Sequence, residues 1–112
     1  MSFGGPAPNK AAVERRTRIH AGNCMACSQR GINLTNTGYV QWHHLRGRKH
    51  HMETIGLCAW HHQAQPLWGY THAAMREDFG PSLAEGSKPF HVEFGGNPEL
   101  LQMQNELLGD AK

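Results

Sequence analysis

The sequence predicts a small α+β protein, in which a ββα unit is held by a metal knuckle and followed by further C-terminal helices. The chain has 112 residues, which is room for one domain. Only 38% of the residues are hydrophobic, and a core this small usually needs a metal ion or disulfide bonds to stabilise it. Seven of the nine histidines and all three cysteines lie within residues 20–62. This clustering favours metal ligation, because three cysteines cannot all pair within one chain.

The expected organisation is a flexible tail followed by one domain. Glycine and proline are frequent near the start, so we expect the tail over residues 1–12. The single domain then covers residues 13–108, with its core at 20–66 and a C-terminal extension at 67–108. No basic start leads into an apolar stretch, and no segment is apolar enough to cross a membrane. We therefore expect no signal peptide, no membrane partner and a reducing, cytoplasmic setting.

The first half of the chain predicts a helix, a cysteine turn, two strands and a second helix. Helix-forming residues with a basic face predict a helix over 10–19, and a glycine and an asparagine then favour a tight turn around Cys24-x-x-Cys27. Aromatic and β-branched residues predict strands over 37–45 and 54–57, separated by a basic loop at 47–52. A helix over 58–65 ends at Pro66.

The second half predicts two helices with a strand between them. Thr71 is a good cap for a helix over 71–79, which the Gly80–Pro81 pair ends. Alternating apolar residues predict a short strand over 90–94. The last helix is expected over 97–108, with Asn97 as its cap and Pro98 at its first position.

Four residues have the spacing of a structural zinc site, namely Cys24, Cys27, Cys58 and His61. Two cysteines separated by two residues can both reach one ion from a tight turn. Cys58 and His61 are three residues apart at the start of a helix, so they share a face. Two alternatives stay open. Cys58 could be an ordinary buried residue, and His20 could compete with His61 for the ion.

Three further histidines predict a second, catalytic metal site. His43 and His44 are neighbours on a strand and point to opposite faces, while His62 is rotated by about 100° from His61 on its helix. His62 could therefore meet an inward-turned His43 and hold a metal with open positions. His44 would stand beside the metal and accept a proton from water. The alternative is that these histidines, like His50 and His51, are ordinary half-buried or solvated residues.

Basic residues flank the histidine-rich region, although the formal net charge is only +2. A locally basic surface on a near-neutral protein suits contact with DNA phosphates, the alternative being scattered, solvated charge. The candidate DNA-binding residues are Arg15, Arg16, Arg18, Arg46, Arg48 and Lys49.

Two runs of the sequence, together with Cys24-x-x-Cys27, resemble the HNH (ββα-metal, treble-clef-like) endonucleases. More narrowly, they resemble the phage recombination-enhancement group, the Ref-like, RecA-dependent nucleases. The resemblance covers about residues 19–65, and the segment 80–91 is similar to the tail of short phage relatives. The two runs are Trp42-His43-His44-Leu45-Arg46-Gly47-Arg48 and Ile55-Gly56-Leu57-Cys58-Ala59-Trp60-His61-His62-Gln63.

The resemblance implies a role for each matching residue. His43 and His62 become ligands of a catalytic Mg²⁺, Mn²⁺ or Zn²⁺, and His44 becomes the general base. His51 stands where the family often has asparagine, and becomes a third ligand or an orienter of the site. His61 completes the structural Zn²⁺ set, where many relatives carry a fourth cysteine. The implied partners are DNA and a RecA-type recombinase filament.

Two other functions compete with a metal-dependent DNA endonuclease. A non-catalytic zinc module that binds DNA or a recombination protein would need only the zinc knuckle. A zinc hydrolase acting on peptides is disfavoured, because the sequence has no His-Glu-x-x-His run.

Overall fold

An antiparallel hairpin lies at the centre of the fold, formed by β1 (Val40–His44) and β2 (Thr54–Cys58). The computed structural model describes residues 9–109, and residues 1–8 of the predicted tail lie outside the described residues. In the register of the hairpin, His44 faces Thr54 and Val40 faces Cys58. Strand β2 is buried along its whole length. Gly56 has no room for a side chain, because a Cβ there would lie 2.8 Å from a methyl carbon of Val40.

Six α-helices and one 3₁₀ turn surround this hairpin within the described residues 9–109. They are α1 (Lys10–Ala21), α2 (Met25–Gln29), α3 (Ala59–Gln63), α4 (His72–Phe79), the 3₁₀ turn Leu83–Glu85, α5 (Ser87–Phe94) and α6 (Asn97–Leu108). The predicted α+β fold, with a two-stranded sheet and additional C-terminal helices, is confirmed. No helix among residues 9–109 combines the length and the apolar character that crossing a membrane requires.

Helix α1 packs against the hairpin and begins earlier than the predicted domain boundary. The side chain of Asn9 caps it by accepting a hydrogen bond from the backbone of Ala12 at 2.8 Å. Ala12 is buried, as is Ile19 further along the helix. Residues 10–12, predicted to belong to the flexible tail, are therefore part of the folded domain.

Two predictions for the C-terminal region are wrong. The segment predicted as a strand over 90–94 belongs to helix α5. Its apolar residues looked alternating, but Phe90 and Phe94 are buried at helical spacing while Val92 is 80% exposed. Asn97 is not the cap of α6. Gly96 takes that position, and its backbone donates to the carboxylate of Glu99 at 2.9 Å.

The core forms around the cysteines, and the C-terminal extension closes it. Trp60 is completely buried, and its indole nitrogen donates to the backbone oxygen of Gly80 at 3.0 Å. The side chain of Gln104 on α6 accepts a hydrogen bond from the backbone of Gly56 at 2.7 Å. The C-terminal extension therefore packs against Trp60 and strand β2.

Candidate metal centres and active site

The structure brings together the four residues predicted to form the zinc knuckle, Cys24, Cys27, Cys58 and His61, and all four are buried. Cys24 and Cys58, the first residues of the two ligand pairs, each cap a short helix. The backbone of Cys27 lies 3.4 Å from the sulfur of Cys24, and the backbone of His61 lies 3.5 Å from the sulfur of Cys58. The predicted turn at Cys24-x-x-Cys27 is therefore the start of helix α2. This capping also points backbone N–H groups at both sulfurs, which favours thiolates.

The distances within this cluster fit one tetrahedral zinc ion. A Zn–S bond of about 2.3 Å places two sulfurs of a tetrahedral ion about 3.8 Å apart. The sulfurs of Cys27 and Cys58 are separated by 3.8 Å. Nδ1 of His61 lies 3.4 Å from Cys24, 3.5 Å from Cys27 and 3.3 Å from Cys58. Three sulfurs and one imidazole nitrogen are a donor set that zinc prefers.

The remaining nitrogen of His61 fixes its orientation. Its Nε2 lies 2.8 Å from the backbone oxygen of Phe79 and donates to it, leaving Nδ1 free to face the sulfurs. Burial opposes the imidazolium, but hydrogen bonds and charge from Cys24 and Cys58 outweigh it and raise the pKa of His61 to about 10. Positive charge is therefore favoured beside the sulfurs of Cys24 and Cys58.

A second pair of histidines lies outside the knuckle. The rings of His43 on β1 and His62 on α3 are 4.8 Å apart, as the rotation of His62 away from His61 predicts. Nδ1 of His62 donates to the side-chain oxygen of Gln41 at 2.7 Å, so its Nε2 is free to bind a metal. Burial, and then the positive charge of neighbouring histidines, lowers the pKa of His43 to about 4. Burial also lowers the pKa of His62. Both rings are thus neutral at pH 7, as metal ligands must be.

His44 pairs with His51 on the other face of β1. Nε2 of His44 lies 3.2 Å from Nδ1 of His51, and the ring of Trp42 packs against both. Burial, followed by the charges of His51 and Arg48, lowers the pKa of His44. The structure places His51 against His44, and its role as a third ligand or as an orienter of the site stays a prediction.

Sequence reasoning missed His91 on α5. Its charge is one of the causes that lower the pKa of His43, so the two rings are within electrostatic reach. Nδ1 of His91 donates to the backbone oxygen of Gly95 at 2.8 Å. The available signal was the segment 80–91, which resembled phage relatives without suggesting a chemical role.

Arg15 was predicted to contact DNA, but in the structure its side chain is buried. Its side chain is only 3% exposed. The guanidinium donates to the hydroxyl of Thr54 at 3.0 Å and to the backbone oxygen of the same residue at 2.7 Å. The hydroxyl of Thr54 donates in turn to the backbone oxygen of His51 at 2.9 Å. Arg15 therefore ties α1 to the end of the loop that carries His51.

The other predicted DNA-binding residues remain accessible. Arg48 and Lys49 are exposed in the loop between the strands. Arg46 is also exposed and lies 3.2 Å from Glu53. Half-buried Arg16 stands 5.4 Å above the ring of Trp42.

Three more basic residues make contacts with residues outside the two histidine pairs. Arg18 is exposed and donates to the backbone oxygen of Leu108. His20 binds the backbone oxygen of Val40 at 2.8 Å and does not compete for the knuckle. His50 pairs with Glu53 at 3.3 Å.

The fold places a buried cluster of three cysteines and a histidine, which could hold a structural metal such as zinc, behind a hairpin and a helix, with separate histidine pairs beside it. The chain belongs to the family described as "Recombination enhancement, RecA-dependent nuclease", whose sequence model matches residues 10–109. The family assignment predicted from the motifs is thereby confirmed. The family description indicates a nuclease role in recombination. Among curated proteins, no relative matches the sequence.

Proposed function

We propose that this protein is a metal-dependent DNA endonuclease of the HNH type, with His44 as its general base. The observation that carries the proposal is the pair of histidine contacts outside the knuckle. A structural zinc site uses four ligands and is complete without His43, His62, His44 and His51. Two further pairs of imidazoles beside it support a hydrolytic site, because a non-catalytic binding module needs only the four ligands of the knuckle.

The residues of the site divide the reaction between them. His43 and His62 would hold a divalent ion, which supplies charge stabilisation at the phosphate and at the leaving oxygen. Nε2 of His44 lies 3.2 Å from Nδ1 of His51, and in the tautomer in which Nε2 donates to His51 the Nδ1 of His44 carries the free lone pair. That nitrogen accepts a proton from water as the water oxygen bonds to phosphorus. The P–O3′ bond breaks and the leaving 3′ oxygen takes a proton from solvent, which gives a 5′ phosphate and a 3′ hydroxyl.

The basic loop next to His44 supports DNA as the substrate. Exposed Arg48 is close enough to shift the titration of His44, and Lys49 follows it directly. Such cations contact neighbouring phosphates and position the strand without reading its sequence. Arg16 above Trp42 extends the basic surface on the same side.

The family supports the biological setting of the proposal. Its description names RecA-dependent nuclease activity, so we propose a phage-encoded enzyme that cuts DNA where a RecA-type filament has formed. Such filaments lie in the bacterial cytoplasm.

The test compares cleavage of supercoiled plasmid and single-stranded DNA by the wild type and by His44→Ala. Mg²⁺, Mn²⁺ and Zn²⁺ are each supplied, with and without a recombinase filament on the DNA. We expect cleavage by the wild type and by the exposed-histidine control His72→Ala, with loss of activity in His44→Ala at unchanged metal content. Wild-type DNA binding without cleavage under every condition would instead support the non-catalytic zinc module.

A further inference from the structure

We propose that Trp42 is the positioning residue of the candidate general base: its ring holds His44 against His51 and keeps one nitrogen of His44 turned toward the attacking water. The inference rests on the proposed function and specifies how its base is oriented. Trp42 does not touch the substrate in this scheme and acts only through the two histidines.

Trp42, His44 and His51 form a cluster of three rings, each in contact with the other two. The ring centroids of Trp42 and His44 are 4.4 Å apart, and those of His44 and His51 are 5.3 Å apart. The ring of Trp42 lies nearly parallel to that of His51, with 5.6 Å between the centroids and an interplanar angle of 21°. Ring pairs at such separations attract one another. The indole therefore restricts the rotation of both imidazoles.

Strand β1 and helix α1 fix the position of the indole. Trp42 and His44 alternate with His43 along β1, so their side chains share a face of the strand. Across the hairpin Trp42 pairs with Gly56, so the paired position on β2 has no side chain to compete for space. The guanidinium carbon of Arg16 on α1 lies 5.4 Å from the centre of the indole, within reach of a cation–π attraction. Two elements of the fold thus hold the ring that contacts the histidines.

Hydrogen bonds hold the main chain of His51 separately from its ring. The hydroxyl of Thr54 donates to the backbone oxygen of His51 at 2.9 Å, and Arg15 donates to the same hydroxyl at 3.0 Å. These bonds place the backbone of His51 and leave rotation about its side-chain bonds. Stacking on Trp42 restricts that rotation and directs Nδ1 of His51 toward His44.

The indole nitrogen indicates that stability alone does not account for a tryptophan at this position. Within residues 9–109, Nε1 of Trp42 is buried and has no hydrogen-bond partner. A buried donor without an acceptor destabilises a fold. Phenylalanine would remove that donor and keep an aromatic ring. What the wider indole adds is the area that reaches both imidazoles at once.

The orientation of His44 matters because a general base must lie within hydrogen-bond distance of the proton that it accepts. Nε2 of His44 lies 3.2 Å from Nδ1 of His51. Half a turn of the His44 ring about its Cβ–Cγ bond would put carbon atoms where its two nitrogens lie. That rotation would remove both the contact with His51 and the lone pair offered to water. Misplacement of a reacting group by about 1 Å can cost about 100-fold in rate.

Single-turnover cleavage at saturating protein and Mn²⁺ tests the inference. Trp42→Leu removes the flat ring, and we expect it to lower the rate by about 10- to 100-fold at a nearly unchanged affinity for DNA. Trp42→Phe keeps a smaller ring and should lose less than about tenfold. Trp68→Leu, the same change at a tryptophan that is 53% exposed, is the matched control and should keep the wild-type rate. Circular dichroism and zinc content establish that each variant is folded, and Trp42→Phe carries the test if Trp42→Leu unfolds.

Ring-nitrogen NMR at one fixed alkaline pH provides a readout that needs no cleavage. In the wild type and in Trp68→Leu we expect a single tautomer of His44, with its proton on Nε2. The Trp42 variants should show both tautomers, Trp42→Leu more than Trp42→Phe. Mixed tautomers already in the wild type, or a Trp42 variant with unchanged His44 signals, would overturn the inference. A wild type that shows the single tautomer and its dependence on Trp42 but cleaves no DNA would contradict only the proposed function.

Discussion

Nδ1 of His62 lies 2.7 Å from the side-chain oxygen of Gln41, and this contact decides which ring nitrogen of His62 faces His43. The amide nitrogen of Gln41 donates to Gln63 at 3.3 Å, so the orientation of the amide is itself fixed. Gln41 and His43 are two residues apart on β1 and share a face of the strand. A strand residue that seems unremarkable in the sequence therefore orients a candidate metal ligand.

Replacing Gln41 should weaken the catalytic metal site without affecting the knuckle. Loss of such an outer hydrogen bond usually lowers metal affinity about 10- to 100-fold. We expect Gln41→Leu to show this loss in Mn²⁺ titration, at an unchanged content of tightly bound zinc. Gln65→Ala, which alters an exposed glutamine beyond α3, is the control. Equal affinity in Gln41→Leu and the control would contradict the role of Gln41.

Removal of the structural metal should unfold the protein. Structural zinc contributes about 10–16 kcal/mol in small zinc-binding peptides, which is as large as the whole stability of a typical domain, about 5–15 kcal/mol. We expect a strong chelator to abolish helical circular dichroism, and re-added Zn²⁺ to restore it. Cys58→Ser should behave like the chelated wild type. If the protein keeps its helices after chelation, the metal at the knuckle does not stabilise the fold.

Arg15→Ala should destabilise the fold and leave DNA affinity per folded molecule nearly unchanged. The substitution removes two hydrogen bonds from a buried guanidinium and leaves the backbone oxygen of Thr54 without that donor. The expected loss is about 2–4 kcal/mol in the free energy of unfolding, measured by urea denaturation. Arg16→Ala, one residue along the helix, should cost much less because its side chain is half-buried above Trp42.

Arg48→Ala and Lys49→Ala should weaken DNA binding and reduce its dependence on salt. Each phosphate contact that is lost should lower the slope of log affinity against log salt concentration by about 1. Fluorescence anisotropy with a labelled oligonucleotide at several salt concentrations measures this slope. Lys88→Ala, which alters an exposed lysine on α5, serves as the matched control. Unchanged slopes in both loop variants would place the DNA on another surface.

Cleavage should already be at its plateau at neutral pH. Burial, His51 and Arg48 hold the pKa of His44 below its usual value of about 6.5. A general base works when neutral, so activity is present above this pKa and is lost as the pH falls through it. We expect the acid limb of the cleavage rate to lie below pH 6.5 at saturating metal. A limb centred above pH 7 would indicate a different base.

The zinc knuckle and the hairpin were predictable because their signals are local. Cys24-x-x-Cys27 and Cys58-x-x-His61 each place two ligands by short-range geometry, and strand alternation separates His43 from His44. The helical rotation between His61 and His62 likewise predicted the direction of His62. These predictions need only the dihedral preferences of a turn, a strand and a helix.

Features that depend on contacts between distant parts of the chain were visible only in the tertiary structure. The charge of Arg15 and its basic neighbours favour a DNA contact in the sequence. Only the packing of α1 against β2 buries its side chain against Thr54. The segment containing Phe90 alternates like a strand, yet its two buried phenylalanines lie on one helical face against His61. His91 lies nearly fifty residues after His43 in the sequence, so no spacing rule connects them. Local sequence therefore determined the ligands of the knuckle, and the packing of the C-terminal helices determined what surrounds the second site.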